Sequence, residues 1–216
     1  IHTIDGTITL RGRGGDNPDH LGYGIENRGA ITTTGLGDIL IAVGSAVSNS
    51  AVTGEFDTPG PPTNANGFAN LSGASVGTAG GTGRIIITAD IIVLDGTTGS
   101  ASSIDAGPNS ATLVPASNGR AIDLGADDSV TALGLTDGEL DTVTAGTLDI
   151  GNAGSGTITV GSAVSLPKVA GLTLTTNRDA SVLFAGAPAH LGSCATGSPA
   201  SGLTPQPAQR AAGETA

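Results

Sequence analysis

Apolar and polar residues alternate with a period of two in short runs, most of them opened by glycine. The runs are Gly6-Thr-Ile-Thr-Leu10, Gly37-Asp-Ile-Leu-Ile41, Gly83-Arg-Ile-Ile-Ile87, Gly119-Arg-Ala-Ile-Asp-Leu-Gly125, Gly146-Thr-Leu-Asp-Ile-Gly151, Gly156-Thr-Ile-Thr-Val-Gly161 and Gly171-Leu-Thr-Leu-Thr175. Within a run, Ile8 and Leu10 fall on one face and Thr7 and Thr9 on the other. Leu148 and Ile150 likewise oppose Asp149, and Ile158 and Val160 oppose Thr157 and Thr159. This is the pattern of half-buried strands. Gly, Asn, Asp and Pro close the runs, and glycine is expected to supply the positive φ that tight corners need. The strands resemble one another, and their inward residues are uniformly Ile, Leu and Val. Such residues stack in ladders when similar coils pile up, so the fold class expected is all-β, a parallel β-solenoid.

At roughly 20–25 residues per coil, residues 1–184 would give about eight coils, a stack about 40 Å long at ~4.8 Å per coil. Two stretches break the pattern. Residues 44–82 are rich in Ser, Ala, Gly, Asn and Pro and read as long loops. In 133–142, Thr136 and Glu139 have capping-box spacing, which predicts a short helical turn with Leu135 and Leu140 folding back on the stack. Residues 185–216 hold four of the eleven prolines (Pro188, Pro199, Pro205 and Pro207) and read as a disordered tail or linker.

Composition narrows the picture. Aromatic residues are 2% and Trp is absent, while Gly reaches 36 of 216 residues. The core must therefore be thin, layered and aliphatic. The net charge of −11 disfavours nucleic acid and anionic membrane surfaces as partners. No apolar run reaches membrane-spanning length, so membrane insertion is not expected. The chain has no Met and starts at Ile1, which fits a fragment of a longer repeat protein. The single Cys194 makes neither an internal disulfide nor a zinc site.

Three segments together resemble a repeat of large bacterial surface proteins. They are Arg120-Ala-Ile-Asp-Leu-Gly125, Leu133-Gly-Leu-Thr-Asp-Gly-Glu-Leu-Asp141 and Thr144-Ala-Gly-Thr-Leu-Asp-Ile-Gly151. The chain is similar over about residues 4–176 to the filamentous-haemagglutinin-like, or β-strand-repeat, proteins. Gly22-Tyr-Gly-Ile25 and Gly29-Ala-Ile-Thr32 look like their earlier coils. The resemblance implies a right-handed parallel β-helix in a long, exported polypeptide of the cell surface or extracellular space, acting in adhesion, biofilm or contact-dependent competition. It supplies no catalytic residues and no cofactor.

The function expected is thus a structural or adhesive stalk segment without catalysis. Its partner would be a host surface, a glycan or another copy, met by loops around 12–22 and 45–82. An alternative is a fragment of a carbohydrate-active β-helix enzyme, a polysaccharide lyase or hydrolase. Its candidate carboxylates are Asp123, Asp127, Asp128, Asp137, Glu139, Asp141 and Asp149. Three or more acidic side chains in one groove with Arg84 or Arg120 beside them would favour it. A second alternative is a protein-binding passenger segment whose edge coil receives a strand.

The remaining motifs are weaker. Gly14-Gly-Asp-Asn-Pro-Asp19 loosely resembles a calcium-solenoid loop, which makes Asp16 and Asp19 candidate Ca²⁺ ligands. Asp127 and Asp128 form a second such pair, although one carboxylate pair does not complete a six-to-eight oxygen shell. The Thr7/Thr9, Thr157/Thr159 and Thr173/Thr175 pairs are spaced too irregularly for a flat ice-binding face and fit ordinary strand threonines. His2, His20 and His190 have no triad partner. Gly12-Arg-Gly-Gly15 lacks the ending of a phosphate loop.

Overall fold

The computed structural model describes residues 1–13, 23–44, 67–78, 80–96 and 101–185. Their strands stack into a parallel solenoid with three walls. The first wall holds β1 (His2–Thr3), β4 (Ala30–Thr33), β7 (Ser75–Gly77) and β10 (Ser103–Asp105). The second holds β2 (Ile8–Gly12), β5 (Ile39–Val43), β8 (Ile85–Thr88), β11 (Ser110–Val114) and β16 (Val169–Leu174). Strand β14 (Val143–Ile150) joins the two walls, pairing β10 with its first half and β11 and β16 with its second. The third wall is built from β3 (Ile25–Asn27), β6 (Gly67–Asn70) and β9 (Ile91–Leu94), and then from β13 (Ala132–Leu135), β12 (Ala121–Leu124), β15 (Ile158–Val160) and β17 (Val182–Phe184). Every recorded strand pair is parallel.

Register shows why the aliphatic pattern builds this stack. On the second wall Ile8, Ile39, Ile85, Ala111, Leu148 and Leu172 form one inward column, and Leu10, Ile41, Ile87, Leu113, Ile150 and Leu174 form the next. Ile31, Val76, Ile104 and Val143 form the column of the first wall. In mid-stack these side chains are fully buried, as with Ile39, Ile85, Val76 and Ile104 at 0% exposure. Each is worth about 1.5–3 kcal/mol of burial, and each is covered only because a neighbouring coil lies above and below.

The described residues make six coils, not about eight. A bare coil takes 24 residues, as between the paired Leu148 and Leu172 or Phe68 and Ile92. Insertions lengthen the others: residues 45–66 fall between β5 and β6, and 125–142 between β12 and β14. Six coils at ~4.8 Å place the first and last about 24 Å apart.

Gly67–Asn70 and Ser75–Gly77, expected within a loop, are strands β6 and β7 instead. All four residues of β6 are buried, and Phe68 is at 0% exposure. A strand covered on both sides shows no alternation, and that hid it in the sequence. The expected helical turn is present as α1 (Asp137–Leu140), with a complete capping box between Thr136 and Glu139. Leu135 and Leu140 are buried as expected.

The glycines opening the second-wall strands act by closeness rather than by φ. A Cβ on Gly37 would lie 2.2 Å from the Gly6 carbonyl oxygen, and one on Gly83 2.0 Å from that of Gly37. Positive φ is found instead at other corners, Gly119, Gly125 and Gly151 among them. Where the third wall turns into the first, Asn27 and Asn70 form a buried rung. Asn27 Nδ2 donates to Asn70 Oδ1 (2.8 Å) and to the Ser75 carbonyl (3.1 Å), and Asn70 Nδ2 donates to the Ser103 carbonyl (3.1 Å). Among the described residues no helix is long and apolar enough to cross a membrane. The expected tail beyond 185 and the loop residues 14–22 and 45–66 lie outside the described residues.

Candidate functional site

Among the described residues the third wall contains seven strands, one more than the second wall with β14 included. After β12 the chain turns at Gly125, whose N–H donates to the Leu135 carbonyl (2.7 Å). It then runs back over the outside of β13: a Cβ on Gly134 would sit 2.1 Å from the Asp127 carbonyl carbon. The chain returns as β13, parallel to β12, with Leu133 beside Ile122 and Leu135 beside Leu124. β13 thus lies between β12 and β9, but no ladder joins it to β9.

Two carboxyl groups occupy that break. Asp128 accepts the N–H of Gly134 (Oδ1, 2.9 Å) and the N–H of Ile92. Glu139 accepts the N–H of Leu94 through Oε1 (3.1 Å), and through Oε2 the N–H (2.9 Å) and the hydroxyl (2.8 Å) of Thr136. Each carboxyl therefore joins one N–H on β9 to one on or just beyond β13. The N–H positions advance by two on both sides, 92 then 94 and 134 then 136, as they do along one edge of a strand. The carboxyls replace the carbonyl oxygens that a laddered neighbour would have offered, so the edge of β9 does not go unsatisfied.

The location sets their electrostatics. Burial pushes Asp128 up to about 7, the charge of Glu139 adds to this, and the two N–H bonds and Arg120 oppose it. Glu139 is also pushed up, first by burial and then by the charge of Asp127, against its bonds to Thr136 and Leu94. The Tyr23 hydroxyl is raised by burial and by the charges of Asp128, Glu26 and Glu139.

Arg120 braces the insertion from inside. Its side chain is 5% exposed. Nε donates to the Asp90 carbonyl (2.9 Å), Nη1 to that of Val130 (3.2 Å), and Nη2 to those of Ser129 (2.8 Å) and Ala132 (3.0 Å). The Asp90 carboxylate lies 3.9 Å from Nε and accepts the N–H (2.8 Å) and hydroxyl (2.6 Å) of Ser117. Burial lowers the Arg120 pKa, but a guanidinium keeps its charge.

Of the carboxylates singled out in the sequence, the fold brings Asp127, Asp128 and Glu139 together, with Arg120 beside them. Asp137 and Asp141 turn to Ser165, whose hydroxyl donates to Oδ1 of each (3.0 and 3.1 Å). Asp123 and Asp149 lie on different walls, each between buried aliphatics. Arg84 is on the second wall with Asp38 (Nη2–Oδ2 2.8 Å) and has no part in the cluster. Thr9, Leu40, Ile86, Thr112, Asp149 and Thr173 share one outward column, so threonine does not repeat on consecutive coils. His2 faces Thr32 (3.0 Å). The candidate calcium ligands Asp16 and Asp19, with His20, His190 and Cys194, lie outside the described residues. Among the described residues no group of three or more His, Cys, Asp or Glu is placed to hold a metal ion, the Asp127–Asp128 pair included.

Sequence reasoning missed Tyr23, Asp90, Ser117 and the Asn27–Asn70 rung. The asparagines had a signal, since each ends a strand two residues after a large apolar residue, Ile25 or Phe68. Asp90 had none, because its role depends on Arg120, thirty residues away.

No protein-family model matches the chain, and no curated protein or solved structure matches it.

Proposed function

We propose that this chain is a structural, adhesive stalk segment of a secreted or cell-surface bacterial repeat protein of the filamentous-haemagglutinin-like kind, without catalysis. We take the winding as right-handed, the hand that parallel crossovers nearly always adopt. One observation carries the reading. The oxygens of Asp128 and Glu139 are directed at main-chain N–H groups of the wall itself. Carboxyls so engaged hold a scaffold together, whereas a general acid needs its oxygen turned toward a substrate. The uninterrupted inward columns suit a rigid spacer. The segments at 12–22 and 45–66 are the stretches that would meet a host surface, a glycan or another copy. The test is an immunoblot of source cells, with and without external protease, using antibody to residues 1–184. A very large band lost on protease treatment is expected. A small band that is protected from protease, or released freely, would overturn the reading.

A carbohydrate-active enzyme fragment is the second reading. What favours it is Asp128, pushed up to about 7 beside Glu139, Tyr23 and Arg120. A carboxyl titrating near neutrality is suited to donating a proton. Release of new reducing or unsaturated ends from a polysaccharide panel, abolished by Asp128→Asn, would establish this reading. No release across the panel would remove it.

A further inference from the structure

In the third wall two carboxyl groups bridge the strands on either side of the break. The first and second walls run on without interruption past it, through the β7–β10 and β8–β11 ladders. Only the third wall changes its means of joining, from main-chain ladder to side-chain carboxyl, between β9 and β13. An opening there would part β13 from β9 while β13 stays laddered to β12 and the two other walls stay paired.

We propose that the β9–β13 seam is a proton-operated latch: Asp128 and Glu139 hold the insertion against the third coil while the pair keeps a proton, and release it as that proton is lost. With no proton, two negative charges would sit in one buried break. Tyr23 lies beside both carboxyls from the first coil, and Asp127 faces Glu139 from the insertion itself. Asp95 follows Leu94 at the end of β9. Among the described residues the cation that acts on Asp128 is Arg120, which already faces Asp90 and four carbonyl oxygens. The raised position of both carboxyls is consistent with this arrangement.

The sign follows from linkage. A carboxyl raised in the closed seam and ordinary in the open one favours closure at low pH. Closure is complete below the ordinary carboxylate range, weakens as pH rises toward about 7 for Asp128, and weakens no further above it. The experiment is native-state amide exchange on the full chain from pH 4.5 to 8, corrected for intrinsic exchange. It follows Ile92, Leu94, Gly134 and Thr136 against Ile41 and Ile87 of the second wall. The four seam amides should lose protection by up to about tenfold per pH unit below pH 7 and then level off. The second-wall amides, which open only with the coils themselves, should stay better protected than the seam amides above pH 7, and Asp128→Asn should flatten the seam profile. Should Asp128→Asn prove too unstable to measure, Glu139→Gln should reduce the slope in the same way. Equal seam protection at every pH would overturn the proposal. So would an unchanged slope in the measured variant, or seam protection equal to that of Ile41 and Ile87 above pH 7.

Discussion

At the scale of single residues, this thin fold depends on groups that touch several chain segments at once. Arg120 gathers the carbonyls of residues 90, 129, 130 and 132 into one buried site beside Asp90. Arg120→Met would keep much of the side-chain volume but strand those oxygens and leave a carboxylate unpaired. The expected loss is about 3–5 kcal/mol of unfolding free energy, read from urea denaturation. Gly134→Ala tests a different cause. Its Cβ would collide with the main chain of Asp127 and Asp128, which cannot swing aside as a side-chain tip can. A loss of about 1–3 kcal/mol is expected, together with weaker exchange protection of Ile92 and Leu94. The glycine spacing was plain in the sequence. Its cause at Gly37, Gly83 and Gly134 was not, because it lies in a segment that only stacking brings near.

At the scale of elements, strands on the same wall are not equally secure. Most are joined by main-chain ladders, whereas β9 meets β13 through two carboxyls. Carboxyls that are raised in the folded state make stability fall as pH rises. The contribution of Asp128 is full below the ordinary Asp range and is lost by the time pH has passed about 7. Urea midpoints should therefore drop between pH 5 and pH 7.5, and Asp128→Asn should remove most of that drop. A drop of equal size in the variant would place the titrating group elsewhere. The helical turn that supplies Glu139 was legible as Thr136-x-x-Glu139. That the same glutamate also takes the Leu94 N–H was not, because the two residues lie 45 positions apart.

At the scale of the whole molecule, stability is shared between neighbouring coils, so position in the stack should govern the cost of a change. Ile85 lies in mid-stack at 0% exposure between Ile39 and Ala111. Leu172, in the last described coil, has Leu148 on one side and is only half-buried. Ile85→Ala is expected to cost about 2–5 kcal/mol, and Leu172→Ala about 1 kcal/mol. Equal costs would argue against nearest-neighbour stacking. The same logic accounts for Phe184, which stands in register with the buried Val160 and Leu124 yet is 68% exposed.

The sequence by itself determined the class of fold. Period-two runs of Ile, Leu and Val, short and similar to one another, can bury their aliphatic faces only by stacking. Alternation is a local property, so it can be read without knowing what lies opposite. Strand β6 escaped because burial on both sides erases alternation. The number of coils escaped because insertion length is not encoded in the repeat. Which acids meet was decided by tertiary structure alone: Asp127, Asp128, Glu139 and Tyr23 come together because the chain doubles back over Gly134 and wedges an extra strand into one wall. Burial and neighbouring acidic charge then raise Asp128 and Glu139, and both effects depend on distances through space that linear order does not fix.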